Sequence, residues 1–329
     1  LSSSGICFLA TSKSGLGHLR RSATIATRLR ALAPERQLHL ISNAHHDGAV
    51  GHDIKSFDSV QILEKDRMAE GAVRTKAGVL VLDTLAVPGL DQLGLPLALV
   101  LRETPDDKLD RFRLARGKPW DLVVIANPED YWMPNPAHLS ARSLVAAGWI
   151  YRPTGRRRGT GAGRPTVLVA TGGGGTAETA RTLYAAIDAA LLLARQRGAE
   201  IDVVQAIGPR ALGFGRLAEA DCKIDPGAAL NELFREADIV ISTAGYNSVL
   251  ELATTDTPTL LVPIPRSIDD QTARARTWAT RLGMWLDPAA PEVAVDWLAQ
   301  EAIARRRRPP VDLGPSGEER AAKAILALG

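Results

Sequence analysis

The chain has 329 residues, 45% of them hydrophobic and 23% charged, with a net charge of +3 at pH 7. That length suits two domains of ordinary size with separate cores, and the balance excludes both a disordered chain and a strongly basic nucleic-acid binder. The two cysteines, Cys7 and Cys222, belong to no CxxC pair, which excludes a disulfide framework and a cysteine-based zinc site and fits a reducing, cytoplasmic setting.

Ile6 to Ala10 reads as a short buried strand that runs into the Gly-rich loop Thr11 to His18. Apolar residues at helical spacing from Leu19 to Leu32 and a second strand, Leu38 to Ile41, complete a β-α-β unit, the mark of a parallel sheet. Periodicity is weak from Gly48 to Arg74, which predicts loops and a short helix. Further strands are expected at Gly78 to Leu82, Leu97 to Leu101 and Asp121 to Ile125. Gly155 to Pro165 has the composition of a flexible linker. The alternation then restarts, with strands at Thr166 to Ala170, Ile201 to Ile207, Ile239 to Ser242 and Thr259 to Val262. Helices are expected at Ala177 to Arg197, Ala228 to Glu236, Ala244 to Leu252 and Gln271 to Leu282. The division expected is a first domain over 1–153, a linker over 154–165 and a second domain over 166–329. No stretch reaches the roughly 18 uninterrupted apolar residues that span a bilayer, and no basic region followed by an apolar run opens the chain, so neither a transmembrane segment nor a signal peptide is expected.

Open α/β sheets bind ligands where strands end and helices begin, and the informative residues fall there. Gly172, Gly173, Gly174, Gly175 and Thr176 join a strand to a helix. Glycines let backbone approach a phosphate, and the helix start supplies N–H groups and partial positive charge. Gly172, Gly174 and Ala177 also fit the GxGxxA dinucleotide fingerprint. The next strand, however, closes on Gln205 to Gly208 without the acid that would hold a ribose. A second strand-to-helix loop holds Ser242, Thr243, Ala244, Gly245 and Asn247. Glu251 follows nearly two turns into the helix, where its carboxylate could accept two ribose hydroxyls or simply face solvent. Asp270 and Gln271, before the next helix, could read sugar hydroxyls, or an aspartate there could cap the helix. His18, with Gly15 and Gly17 at the mouth of the first loop, suits general-base work. Arg20 and Arg21 read as phosphate binders or surface charges. The runs Arg156 to Arg158 and Arg305 to Arg308 read as solvated loops or helix ends, with an acidic partner or membrane headgroups as the alternative.

These sites in this order resemble the glycosyltransferases that share the MurG-like GT-B fold. The strongest part is Ile239 to Gln271, with its Gly-containing loop, helix glutamate, proline-ended strand and acid-Gln pair. Gly15 to His18 resembles the family's N-terminal glycine loop, and Asn127 to Asp130 with Ala147 to Pro153 resembles an uncharacterised bacterial branch. The resemblance implies two Rossmann-like domains with parallel sheets facing a central cleft, and a chain end, about Ala321 to Leu328, packed back on the first. Glu251 would bind ribose, Gly172 to Thr176 and Ser242 to Gly245 with Asn247 would face a diphosphate, and Asp270 and Gln271 would hold the donor sugar. His18, Gly15, Gly17 and Asn127 would serve the acceptor.

The chain departs from the family in lacking an asparagine shortly after the acid-Gln pair, which leaves the sugar open, and its short first domain makes a lipid acceptor an unsafe transfer. The expectation is an inverting, metal-independent transferase that moves a hexose such as N-acetylglucosamine from a UDP-sugar to a hydroxyl acceptor. The base would be His18 or a carboxylate such as Asp83. No cofactor, metal or nucleic acid is expected, peripheral membrane contact and the oligomeric state stay open, and Asp106-Asp107 and Asp269-Asp270 are adjacent acids rather than a DxD metal motif. A nucleotide-sugar hydrolase on the same fold and a noncatalytic nucleotide-sugar-binding subunit are the alternatives.

Overall fold

The structure, a computed structural model, describes residues 5–11, 16–44, 53–83, 86–136, 138–157, 163–172, 177–208, 216–227 and 229–329. Two compact units emerge: Leu1–Tyr151 together with Gly314–Gly329, and Arg152–Leu313. Among the described residues no helix is long and apolar enough to cross a membrane.

The first unit is built on β1 (Ile6–Ala10), β2 (Leu38–Ser42), β3 (Ser59–Ile62), β4 (Val79–Asp83), β5 (Leu97–Leu101), β6 (Leu122–Ile125) and β7 (Leu144–Ala146). They form a seven-stranded sheet in the order β3-β2-β1-β4-β5-β6-β7, every pair parallel. β1, β2, β4, β5 and β6 are buried along their whole length. A parallel strand covered on both faces needs apolar residues on both, hence runs such as Val79 to Leu82. Helix α1 (Gly17–Leu32) crosses from β1 to β2 and buries Leu19, Ala23, Ile25, Ala26 and Leu29 on one stripe. Helix α2 (Met68–Arg74) precedes β4.

The second unit repeats the plan with β8 (Thr166–Ala170), β9 (Asp202–Ala206), β10 (Cys222–Ile224), β11 (Ile239–Thr243), β12 (Thr259–Val262) and β13 (Gly283–Trp285). These form a six-stranded parallel sheet ordered β10-β9-β8-β11-β12-β13. Its helices are α3 (Ala177–Gln196), α4 (Leu230–Glu236), α5 (Tyr246–Ala253), α6 (Gln271–Leu282) and α7 (Pro291–Ala304). Leu191, Val203, Ile241, Leu260 and Leu298 sit in its core. In both sheets the strand order reverses beside the unit's first strand, between β1 and β4 and between β8 and β11. Those are the topological switch points at which this class of sheet receives ligands.

Helix α8 (Glu318–Leu326) returns to the first unit and packs on α1 through an Arg28–Glu319 ion pair. The Gly317 N–H donates to the Trp149 carbonyl at 2.7 Å. A Cβ on Gly317 would lie 2.5 Å from the Ala147 oxygen, so only glycine admits the chain here. In place of a free linker from 154, the segment up to Arg157 is tied into the second unit. The Thr154 N–H donates to Thr254 Oγ1 at 2.8 Å, and Arg157 reaches Asp238 at 2.7 Å. Asp238 also accepts from the Thr166 N–H at 2.9 Å and from Arg305 at 3.4 Å.

Within the arginine run Arg305 to Arg308, Arg306 is exposed, but Arg307 and Arg308 are not simply solvated. Arg307 donates to the Ala237 carbonyl at 2.9 Å, and Arg308 to the carbonyls of Leu252 at 2.6 Å and Thr257 at 3.0 Å. The Arg307 guanidinium meets a carbonyl at the C-terminal end of α4, and that of Arg308 adds to the bonds that Thr255 and Thr259 make to Leu252 and Thr257.

Candidate functional site

At the first switch point, Ala10 at the end of β1 pairs in register with Asp83 at the end of β4. The helix that follows β1 begins at Gly17, so His18 and Arg21 occupy its first turn and a half and lie one turn apart on one face. His18 Nδ1 lies 2.9 Å from Asp83 Oδ1. Arg21 grips the same carboxylate with both ends of its fork, Nε to Oδ2 at 2.9 Å and Nη2 to Oδ1 at 2.5 Å. The Asp83 side chain has no exposed surface and that of Arg21 is 2% exposed, while the His18 side chain keeps 26%.

Burial pulls the His18 imidazole below its ordinary value. The hydrogen bond and charge of Asp83 oppose this, and the Arg21 and Arg102 charges add to it. Burial alone would raise Asp83, but the Arg21 charge and the bonds from His18 and Arg21 outweigh it and hold the carboxyl below its usual range. The arrangement is therefore a neutral imidazole beside a fixed carboxylate. Donation of Nδ1–H to Asp83 leaves Nε2 with the lone pair.

Two expectations for this unit are corrected. Asn127 is not open to a ligand: it is fully buried, accepts from the Glu103 N–H at 2.8 Å and donates to Glu103 Oε2 at 3.2 Å. It braces the loops after β5 and β6. Arg21 is neither a surface charge nor a phosphate binder, because its fork is spent on Asp83. Gly17 is the first residue of α1, and Gly15 lies outside the described residues.

In the second unit, Ala170 on β8 pairs with Ser242 on β11, so the loops that leave these strands are neighbours. Gly172 opens the first loop with φ +62°, left-handed backbone that favours glycine. Its carbonyl lies where a Cβ on Gly208 would be 3.3 Å away. Gly173, Gly174, Gly175 and Thr176 lie outside the described residues. In the second loop Thr243 and Ala244 are buried, and the buried Ser242 hydroxyl donates to the Thr243 carbonyl at 3.2 Å, so it does not face a ligand. Gly245 and Asn247 are half-buried at the start of α5, where Gly245 offers no side-chain cap.

Glu251 is 4% exposed, which removes the solvent-facing reading. A carboxylate is almost never buried without a function or a partner. Asp270 caps α6 by accepting from the Ala273 N–H at 2.9 Å. Buried Gln271 accepts from the Ile264 N–H at 3.3 Å and donates to Asp269 at 3.4 Å, so it shapes the loop after β12.

Sequence reasoning missed Arg274. It is buried, donates to the Ala244 carbonyl at 2.8 Å and pairs with Asp269 at 2.7 Å, which ties the loop after β12 to the loop after β11. Nothing in the spacing of Asp269 and Arg274, five residues apart, distinguishes them from surface charges. A cavity of about 580 Å³ lined by Pro258, Gly283, Trp297 and Arg307 lies at the amino ends of β12 and β13, away from all these loops.

Residues 166–286 match the glycosyltransferase family 28 C-terminal domain. A UDP-N-acetylglucosamine--N-acetylmuramyl-(pentapeptide) pyrophosphoryl-undecaprenol N-acetylglucosamine transferase from Albidiferax ferrireducens is 31% identical over 183 residues, 52% of this chain and 42% of the relative. Among solved structures, Acinetobacter baumannii MurG superimposes with a TM-score of 0.53 at 16% identity, covering 98% of this chain and 99% of that one. The chain has the GT-B fold, and its second unit carries the family 28 C-terminal domain. The kitacinnamycin glycotransferase shares that fold, with a TM-score of 0.57 at 16% identity over all of both chains. The chain spans less than half the length of the curated relatives it matches. The family match covers β8 to β13, the unit that carries Glu251 and the strands from which the loops after β8 and β11 leave.

Proposed function

We propose that this chain is an inverting, metal-independent glycosyltransferase. It moves a sugar, N-acetylglucosamine or a related hexose, from a UDP-sugar to a hydroxyl of a small molecule or natural product. The hydrogen bond between His18 and Asp83 carries this reading, because a neutral imidazole fixed by a carboxylate is what deprotonating a hydroxyl requires. The family 28 match over 166–286 and the nucleotide-sugar donor in the Albidiferax relative's name support the choice of donor.

The acceptor oxygen would attack the anomeric carbon from the face opposite UDP, and its proton would pass to His18 Nε2. The new C–O bond forms as the bond from C1 to the phosphate oxygen breaks, and the pair of electrons leaves on UDP. Charge growing on the diphosphate would be met by backbone N–H groups at the starts of α3 and α5, so no step needs a metal. Glu251 would hold the ribose, with Gln271 and Asp270 beside the sugar. Asp83 acts as the partner that orients His18 rather than as the base, since it is enclosed and both its oxygens are taken.

A nucleotide-sugar hydrolase would use the same pair on water. The two readings part when UDP-N-acetylglucosamine is incubated with the full chain with and without a panel of hydroxylated acceptors. Transfer predicts UDP release that depends on an acceptor, and release of free sugar without one makes the chain a hydrolase. Binding of the donor with no turnover across the panel makes it a binding subunit and sinks the enzymatic reading.

A further inference from the structure

We infer that Arg21 is a positioning residue for His18, acting through Asp83 to fix which imidazole nitrogen faces the substrate. The inference rests on the reading of His18 as the base. Its ground is geometric. Arg21 follows His18 by one turn of α1 and closes both oxygens of Asp83, at 2.9 and 2.5 Å, inside a site where neither side chain has more than 2% exposure. A carboxylate so clamped cannot rotate, and its Oδ1 lies 2.9 Å from His18 Nδ1. Only the tautomer with a proton on Nδ1 fits that oxygen, so the lone pair is confined to Nε2.

The same clamp adds to burial in lowering how basic the imidazole is. A histidine facing a buried carboxylate alone would hold a second proton tightly and be spent as a base near neutral pH. Here Arg21 shares the carboxylate, and its Nη2 lies 3.4 Å from His18 Nδ1, so an imidazolium would stand against a guanidinium in a site removed from water. The charged groups acting on the ring are Arg21 from the same helix, Asp83 from β4 and Arg102 just beyond β5. Burial lowers His18 most and Asp83 opposes it; among the described residues the Arg21 and Arg102 charges add to the lowering and so favour the neutral ring. Lysine could not substitute, because an ammonium is a point charge that cannot hold two carboxylate oxygens in one plane.

The test is nitrogen-15 NMR of the full chain with labelled histidine. The chain has 6 histidines, and the His18 signals are those absent from His18→Gln. The wild type is expected to show one tautomer, protonated at Nδ1, across neutral pH. Arg21→Met should move the His18 titration midpoint upward, because Asp83 then serves His18 alone. Arg21→Lys should move it the same way by less and mix the tautomers, and it carries the test if the methionine variant does not fold. A midpoint and tautomer unchanged in a folded variant overturn the inference. Turnover of UDP-N-acetylglucosamine by His18→Ala keeps the two claims apart: full turnover there removes His18 as the base, whatever the NMR of the Arg21 variants.

Discussion

Glu251 offers the sharpest test of the donor site. The residue is 4% exposed, in the second turn of α5, the helix that follows β11, the strand beside β8. A carboxylate that accepts ribose 2′- and 3′-hydroxyls out of water contributes about 1.5 to 3 kcal/mol, as hydrogen bonds to charged groups do. At about 1.4 kcal/mol for each factor of ten, Glu251→Ala should weaken UDP binding roughly 10- to 100-fold. Glu251→Gln keeps one acceptor oxygen and should lose less. Calorimetry with UDP and with a UDP analogue lacking both ribose hydroxyls separates a contact from a fold defect, since the analogue should bind the wild type and both variants alike. If Glu251→Ala weakens both ligands equally, Glu251 holds the loop and not the ribose, and the assignment of the donor site to α5 falls with it. Circular dichroism and melting of the variant guard against the trivial result, because removing a buried charge also alters packing.

Three further outcomes follow from named contacts. His18→Ala should lower turnover by about 100-fold or more, the usual effect of removing a general base, while UDP affinity measured by calorimetry stays unchanged; near-normal turnover would make the histidine structural. Stability should fall as pH drops. His18 and His39 are held below the ordinary value of 6.5 by burial, so the unfolded chain takes up protons there that the folded chain refuses. Their contribution is complete above about 6.5 and shrinks below it. In Asp58, Asp83 and Asp238 burial is outweighed by hydrogen bonds and arginine charges, so they sit below their ordinary 3.8, and their contribution is present above it and lost as pH falls further. Melting temperatures measured from pH 7.5 down to 4 that stay flat or rise would contradict this. Arg308→Ala should destabilise the second unit in urea by about 1.5 to 3 kcal/mol, because it removes charge-assisted bonds to the carbonyls of Leu252 and Thr257, which keep their bonds from Thr255 and Thr259. Burial pushes that guanidinium down to about 10, and an unchanged midpoint would mean water replaces it without loss.

The strands that could be read from the sequence share one property. β1, β2, β4, β5, β6, β8, β9, β11 and β12 each lie inside a sheet with a neighbour on both sides, and all but β9, which carries Asp202 and Gln205, are mainly apolar runs. The strands missed, β3, β7, β10 and β13, are the outermost of the two sheets, and their residues are half-buried or exposed. An edge strand has only one strand beside it and its composition carries little trace of its pairing. The same limit applied to side chains. His18 and Asp83 were legible as separate candidates because each closes or follows a strand at the switch point. Their pairing across 65 residues was not, nor was the third member, Arg21. Asn127 misled because a polar residue after a strand looks the same whether it faces a ligand or, as here, braces Glu103. Arg307 and Arg308 misled because a run of arginines carries no mark of the carbonyls it will meet.

How the helices begin separates the donor loops from one another. A helix leaves its first N–H groups without internal partners, and a side chain, water or ligand has to meet them. Helix α6 meets its own need: the Asp270 carboxylate accepts from Ala273 and places negative charge at that end. A phosphate brought there would meet a like charge. Helix α5 begins at Gly245 with no side-chain cap, on the strand next to β8, and the nearby Arg274 is already spent on Ala244 and Asp269 and so cannot act as a counter-ion in the phosphate's place. On the proposed reading the diphosphate would therefore meet the start of α5 rather than α6. On the same proposal Asp270 and Gln271 would lie toward the sugar end of the donor. That order agrees with the side on which Glu251 would take the ribose, one helix away from Asp270.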